Sequence, residues 1–243
     1  MNARWWVAIA VVLSCAIAVL QMPVSTRQGW NYVVSRQTIP LYLKAARFVM
    51  RDLESRYLVA ELTRGVTDPE QKALRLLAWV RTAVHAGVPP ELTVVDDHPW
   101  SIIIRGYGSA DQLADVLATL CAYAGVPGAV VPVNDPETRV RHDLVLVKLR
   151  DGWCPLDPYY GPVIRRADGH LATQADLRRD PSLVRRAAPG VTRSGVEYAT
   201  WYETVPDAPV NDLAARPSRQ MPLRRLLELF RRGVGGWRPG AAS

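Results

Sequence analysis

Three stretches of this chain hold residue types that could share one piece of chemistry. Residues 106–112 read Gly-Tyr-Gly-Ser-Ala-Asp-Gln, a glycine-rich turn running into a helical pattern. His142 opens an apolar run 30 residues later, and Asp157 closes the next one. A nucleophile works best on the first turn of a helix, where the macrodipole and free backbone amides lower its pKa and hold a developing oxyanion. A histidine within reach exchanges the proton, and a carboxylate orients that histidine. Such a trio performs acyl transfer or amide hydrolysis. The missing element is the nucleophile. Cys121 lies on nearly the same helix face as the turn but about 16 Å further along the axis, and it reads as a small buried apolar residue. Cys154 sits three residues before Asp157 on one strand, so the two point to opposite faces. Ser109 and Gln112 form a Ser-x-x-Gln capping box, which gives the hydroxyl a structural task.

The elements that must position these groups are legible around them. A helical pattern over 41–64 carries Leu43, Phe48, Val49, Leu53, Leu58 and Leu62. Asp68 is an N-cap, Pro69 suits the first helical position and Gln71 completes a box, so a second helix runs to about residue 86. Gly87 and Pro89-Pro90 stop it. Residues 88–108 read as loop with a short apolar run at 102–104. Ala114, Leu117, Ala118, Cys121 and Ala124 then form one helical stripe, ended by Gly125. Strand-like runs follow at 129–133, 144–149 and 153–156, the last two joined by an Asp151-Gly152 turn. Helices first and antiparallel strands afterwards predict an α+β layout. Past residue 161 the pattern weakens to short helices and loops near 174–186 and irregular wrapping to 211.

In these residues the chain resembles the transglutaminase-like superfamily, in its bacterial papain-like branch. The resemblance lies in Arg105-Gly106-Tyr107-Gly108-Ser109-Ala110-Asp111-Gln112, Ala124-Gly125-Val126-Pro127, His142 with its strand, Gly152-Trp153 and Leu156-Asp157-Pro158, within residues 65–162. Such families carry a catalytic Cys, His and Asp in that order. Carried over, the histidine falls on His142, the aspartate on Asp157 and the cysteine on Ala110. A methyl group cannot attack a carbonyl, so the resemblance implies a member without its nucleophile. It would keep a papain-like groove for a peptide or glycan ligand, with Tyr107, Gly108, Ser109, Gln112 and Trp153 as binding residues. Asp143 follows the histidine where many relatives carry small and aromatic residues.

Composition narrows the function classes. With 49% hydrophobic and 22% charged residues in 243, disorder and a multi-span membrane protein are excluded. Three cysteines are too few for a disulfide scaffold. The four histidines share no metal-ligand spacing, and Asp96-Asp97-His98 reads as an acidic loop, so neither metal nor cofactor is expected. Of the net charge of +7, residues 216–243 carry seven arginines and one glutamate, leaving a nearly neutral body and no nucleic-acid footprint.

Both ends carry their own signals. Residues 5–24 are apolar enough to span a bilayer, as an anchor or uncleaved signal. Arg4 and the amino terminus precede this stretch and no basic residue follows until Arg27, which favours export of the body. In the tail, Leu223, Leu226, Leu227 and Phe230 face away from Arg224, Arg225, Arg231 and Arg232, a pattern suited to anionic lipid or an acidic protein partner.

The predicted organisation is therefore an anchor (1–24), a linker and helix (25–64), a core (65–162), an irregular C-terminal extension (163–215) and a basic amphipathic tail (216–243). The resemblance adds a single-pass protein of the bacterial inner membrane with a periplasmic domain. It would be non-catalytic and would bind or scaffold in the cell envelope, in relation to surface polysaccharide. Two alternatives remain open: an amide or ester hydrolase or acyltransferase using Ser109 or Cys154, and a tethered adaptor acting through the basic tail.

Overall fold

The computed structural model describes residues 3–28, 35–91, 96–134, 141–193, 195–209, 221, 224 and 227. The apolar amino-terminal stretch forms helix α1 (Ala3–Gln21), in which the window Arg4–Gln21 has mean hydropathy 1.8 and is wholly unburied. At about 1.5 Å per residue the helix reaches about 28 Å, long and apolar enough to cross a bilayer. Residues 25–28 and 35–40, read as part of a linker, instead lie in two antiparallel strands. Strand β1 (Pro23–Gln28) pairs with β2 (Ser35–Pro40), from Pro23 opposite Pro40 to Gln28 opposite Ser35. Val24, Thr26, Thr38 and Ile39 supply the β-branched residues that favour pairing. This pairing brings the chain back to its start, where the Leu41 N–H donates to the Met22 carbonyl at 2.9 Å.

Helix α2 (Leu41–Leu62) turns Asp52, Ser55 and Val59 inward. Helix α3 (Pro69–Ala83) starts at Asp68, whose carboxylate accepts from the Gln71 N–H at 2.9 Å, and buries Ala73, Leu76, Leu77 and Val80. It stops three residues before the predicted end because the chain turns extended. Strand β3 (His85–Ala86) runs parallel to β4 (Tyr107–Gly108).

Between these two strands, where the sequence reads as loop, lies helix α4 (Pro99–Arg105). Its cap is His98, whose Nδ1 accepts from the Trp100 N–H at 3.2 Å, and Gly106 ends it in the left-handed conformation at φ 76°. Asp96 supports this start by accepting from the His98 N–H at 3.0 Å and the Ser101 hydroxyl at 2.8 Å.

Helix α5 (Ala110–Tyr123) is the axis of the molecule, with every residue from Gln112 to Ala122 buried. A helix apolar nearly all round must be enclosed. On one side lie α2, α3 and α4. On the other lies a three-stranded antiparallel sheet in the order β5 (Gly128–Asn134), β6 (Arg141–Lys148), β7 (Trp153–Leu156). The strands fall where sequence places them, and the architecture is α+β as expected.

The sheet has two buried faces. Val130, Val145, Val147, Cys154 and Leu156 share the α5 core, whereas Val131, Val133, Leu144 and Leu146 belong to a second core. That second core is closed by residues read as an irregular extension: α6 (Gln174–Arg179), α7 (Ser182–Ala187) and α8 (Tyr198–Glu203). The amphipathic pattern at 223–232 lies outside the described residues apart from Arg224 and Leu227.

Candidate functional site

The turn before α5 is held by one arginine. Arg105 donates through Nε to the Tyr107 carbonyl at 2.9 Å and through Nη2 to Gln112 Oε1 at 2.7 Å, and it also bonds the Asp96 carbonyl. Its guanidinium lies 5.3 Å from the Tyr107 ring centroid, a cation–π contact. Gln112 is buried, and the same Oε1 accepts from the Ser109 N–H at 3.1 Å, the return half of the capping box. The Ser109 hydroxyl donates to the Asp111 carboxylate. Gly108 permits the close approach, because a Cβ there would stand 3.0 Å from Leu113 Cδ1 and 3.2 Å from Gln112 Cβ. Ala110 is the first residue of α5, half-buried, with its methyl at the end that carries the free amides.

His142 and Asp157 meet on the sheet. His142 Nε2 lies 2.7 Å from Asp157 Oδ2, and both side chains are completely buried. The pair has a large cage. The Tyr198 hydroxyl donates to Asp157 Oδ2 at 2.5 Å and contacts the Tyr202 hydroxyl at 2.8 Å. The Tyr159 and Tyr160 N–H groups donate to Asp157 Oδ1 at 2.8 and 3.0 Å. Tyr160 and Trp201 meet the imidazole edge-on at 5.7 and 5.9 Å. Arg81 reaches over from α3 to donate to the Gly161 carbonyl at 3.1 Å, where a Cβ would collide with its guanidinium.

Burial raises the Asp157 carboxyl from its ordinary 3.8 to about 6, against the lowering pull of the tyrosine donors and Arg81. Burial likewise holds Tyr198 and Tyr202 well above the usual phenol range, reinforced by the Asp157 charge.

The register decides how this pair relates to α5. His142 stands opposite Val133, and it shares a face with Leu144 and Leu146 in the second core. Helix α5 packs on the opposite face, with Val145 and Val147. The residue at this end of β6 with α5-side parity is Asp143, buried and held by Arg141 at 2.7 and 3.1 Å. Asp111 and Asp115 on α5 act electrostatically on Arg141, so the two element starts are neighbours. His142 and Asp157 are thus brought together, while the body of α5 lies across the sheet from them.

Trp153 is placed elsewhere. It begins β7, four residues or ~13 Å before Asp157, and stacks near Lys148 Nζ at 5.6 Å. Cys121 and Cys154 are buried, with thiols pushed up to about 12 by desolvation. Sequence reasoning missed Tyr198, Trp201 and Tyr202, although their i, i+3, i+4 spacing is a helical signal.

The site thus consists of a capped central helix and a histidine–aspartate pair on an antiparallel sheet, within an α+β core. Residues 56–158 match the family model "Transglutaminase-like superfamily". Two solved structures are similar to it at low identity. One is described as a "Putative Cysteine Protease" from Cytophaga hutchinsonii, 13% identical with TM-score 0.39 over 49% of this chain and 40% of that one. The other is described as a "Putative Protease" from Parabacteroides distasonis, 15% identical with TM-score 0.38 over 54% and 30%. The chain therefore spans less than half the length of either. No curated protein matches it.

Proposed function

We propose that this chain is a membrane-anchored transglutaminase-like protein that acts by binding rather than by covalent catalysis. Its core sits on the outer side of a bacterial inner membrane and recognises a peptide or glycan of the cell envelope as a scaffold. The observation that carries the reading is Ala110 at the first position of α5, together with a His142–Asp157 pair that has no exposed surface. A general base must reach the proton it takes, and this imidazole is enclosed, with Tyr160 and Trp201 against its ring. Neither buried thiol offers a substitute, since a thiol near 12 is protonated at neutral pH. Ser109 spends its hydroxyl on Asp111. An open groove of about 580 Å³ beside the turn, lined by His85, Gly87, Pro89, Arg105 and Tyr107, has the size of a ligand site.

An active-site-directed electrophile tests this. The protein should take up no label around the turn, whereas Ala110→Cys should produce a reactive thiol of depressed pKa at the helix start. Amide or ester hydrolysis that disappears in His142→Ala overturns the reading. A reporter fused after residue 209 tests the orientation, and activity confined to the cytoplasm removes the envelope role.

A further inference from the structure

Helix α2 is apolar on two sides. Its inner side packs Val59, Leu58 and Leu62 into the α5 core. Its outer side presents Tyr42, Val49, Met50, Leu53 and Tyr57, all 46–70% exposed, interleaved with alanines. At ~100° per residue the uncharged part of this side, from Val49 round to Met50, is roughly 100° wide and is bordered by Arg56 and Glu61, a stripe able to lie on a flat surface.

Three placements say what covers it. The β1–β2 pairing returns the chain to the end of α1, and the Leu41–Met22 bond sets the first turn of α2 at the boundary of the apolar helix. Residues 1–50 contain no Asp or Glu, while Arg27, Arg36, Lys44 and Arg47 fall between α1 and Arg51, which is itself paired with Asp96 at 3.4 Å. Such a segment is attracted to anionic headgroups within a Debye length, and two copies of it repel each other. Tyrosines stand near both ends of the stripe, and amphipathic aromatic rings favour headgroup depth.

We propose that the outer face of α2 docks on an anionic bilayer surface beside α1 and so lays the core against the membrane. The inference rests on α1 crossing that membrane.

The test uses the full chain with Cys15→Ala, reconstituted in phosphatidylglycerol–phosphatidylcholine vesicles carrying nitroxide lipids. A fluorophore is attached at Leu53→Cys, at Ile17→Cys in α1, or at the exposed Arg179→Cys in α6. The Leu53 probe should lose about half its emission or more, and clearly less in phosphatidylcholine alone. The Ile17 probe should be quenched in both vesicles and the Arg179 probe in neither. Quenching at Ile17 without quenching at Leu53 overturns the docking and leaves the anchor standing. Disulfide-linked dimers through Leu53→Cys, without quenching, would assign the face to a second copy and also overturn it. An unquenched Ile17 probe removes the anchor and the docking with it.

Discussion

The His142 imidazole and the Asp157 carboxylate lie 2.7 Å apart on the face of the sheet opposite the central helix, sealed by Tyr198, Tyr160 and Trp201. Their surroundings are those of a buried polar network. Asp157 accepts from two backbone amides and a phenol, and such a network specifies a core only when every member is satisfied.

Tyr198→Phe therefore removes the donor to Asp157 Oδ2 and breaks the contact with Tyr202. A hydrogen bond to a charged acceptor is worth about 1.5–3 kcal/mol, and the loss should appear at that scale in urea unfolding followed by tryptophan fluorescence. A change within error would mean that Asp157 does not depend on the phenol.

Asp157 also makes stability depend on pH. Its folded value, about 6, lies above the ~3.9 of an unfolded chain, so the folded state binds the proton more tightly. Its contribution is fully present below ~3.9 and is lost as pH rises through about 6. Two units correspond to on the order of 3 kcal/mol. Asp157→Asn isolates the effect. Its oxygen can accept from Tyr159 and Tyr160, and its amide can donate to Tyr198 and His142. Relative to this variant, the native protein should be less stable at pH 7 than at pH 4. A difference that is flat with pH would count against the raised carboxyl.

Much of this frame was readable residue by residue. The Asp68 cap, the α5 stripe and the two strands around Asp151-Gly152 are local patterns, set by neighbours a few positions apart. Helix α4 was hidden because its cap is a histidine accepting through Nδ1, and its seven residues show only three apolar neighbours in a row. Alternation places His142 with Leu144 and Leu146, yet both faces of β6 are apolar, so no local signal says which one meets α5. Tyr198 reaches Asp157 from 41 residues away, a contact that only the folded chain creates.

Thiol chemistry should separate buried from accessible cysteines. Cys121 and Cys154, with thiols near 12, should resist a maleimide at neutral pH in the folded protein carrying Cys15→Ala, and both should react once it is unfolded. Native labelling of Cys154 would restore it as a nucleophile.

The turn at α5 offers a steric test. At Gly108 an added Cβ meets Leu113 Cδ1 at 3.0 Å and Gln112 at 3.2 Å, and neither neighbour can retreat freely. Leu113 is fully enclosed, and Gln112 is tied to both Arg105 and Ser109. Overpacking of this kind costs about 1–3 kcal/mol, so Gly108→Ala should lower the thermal midpoint. Because the strain falls on Gln112, the same variant should also loosen the Arg105 bonds that hold Tyr107 beside the groove. Arg105→Lys provides the comparison: it keeps the charge, loses the fork, and should weaken the turn without overpacking the core. A destabilisation by Gly108→Ala that Arg105→Lys renders smaller, measured in the double variant, would show that both act through Gln112; strict additivity would show that they do not.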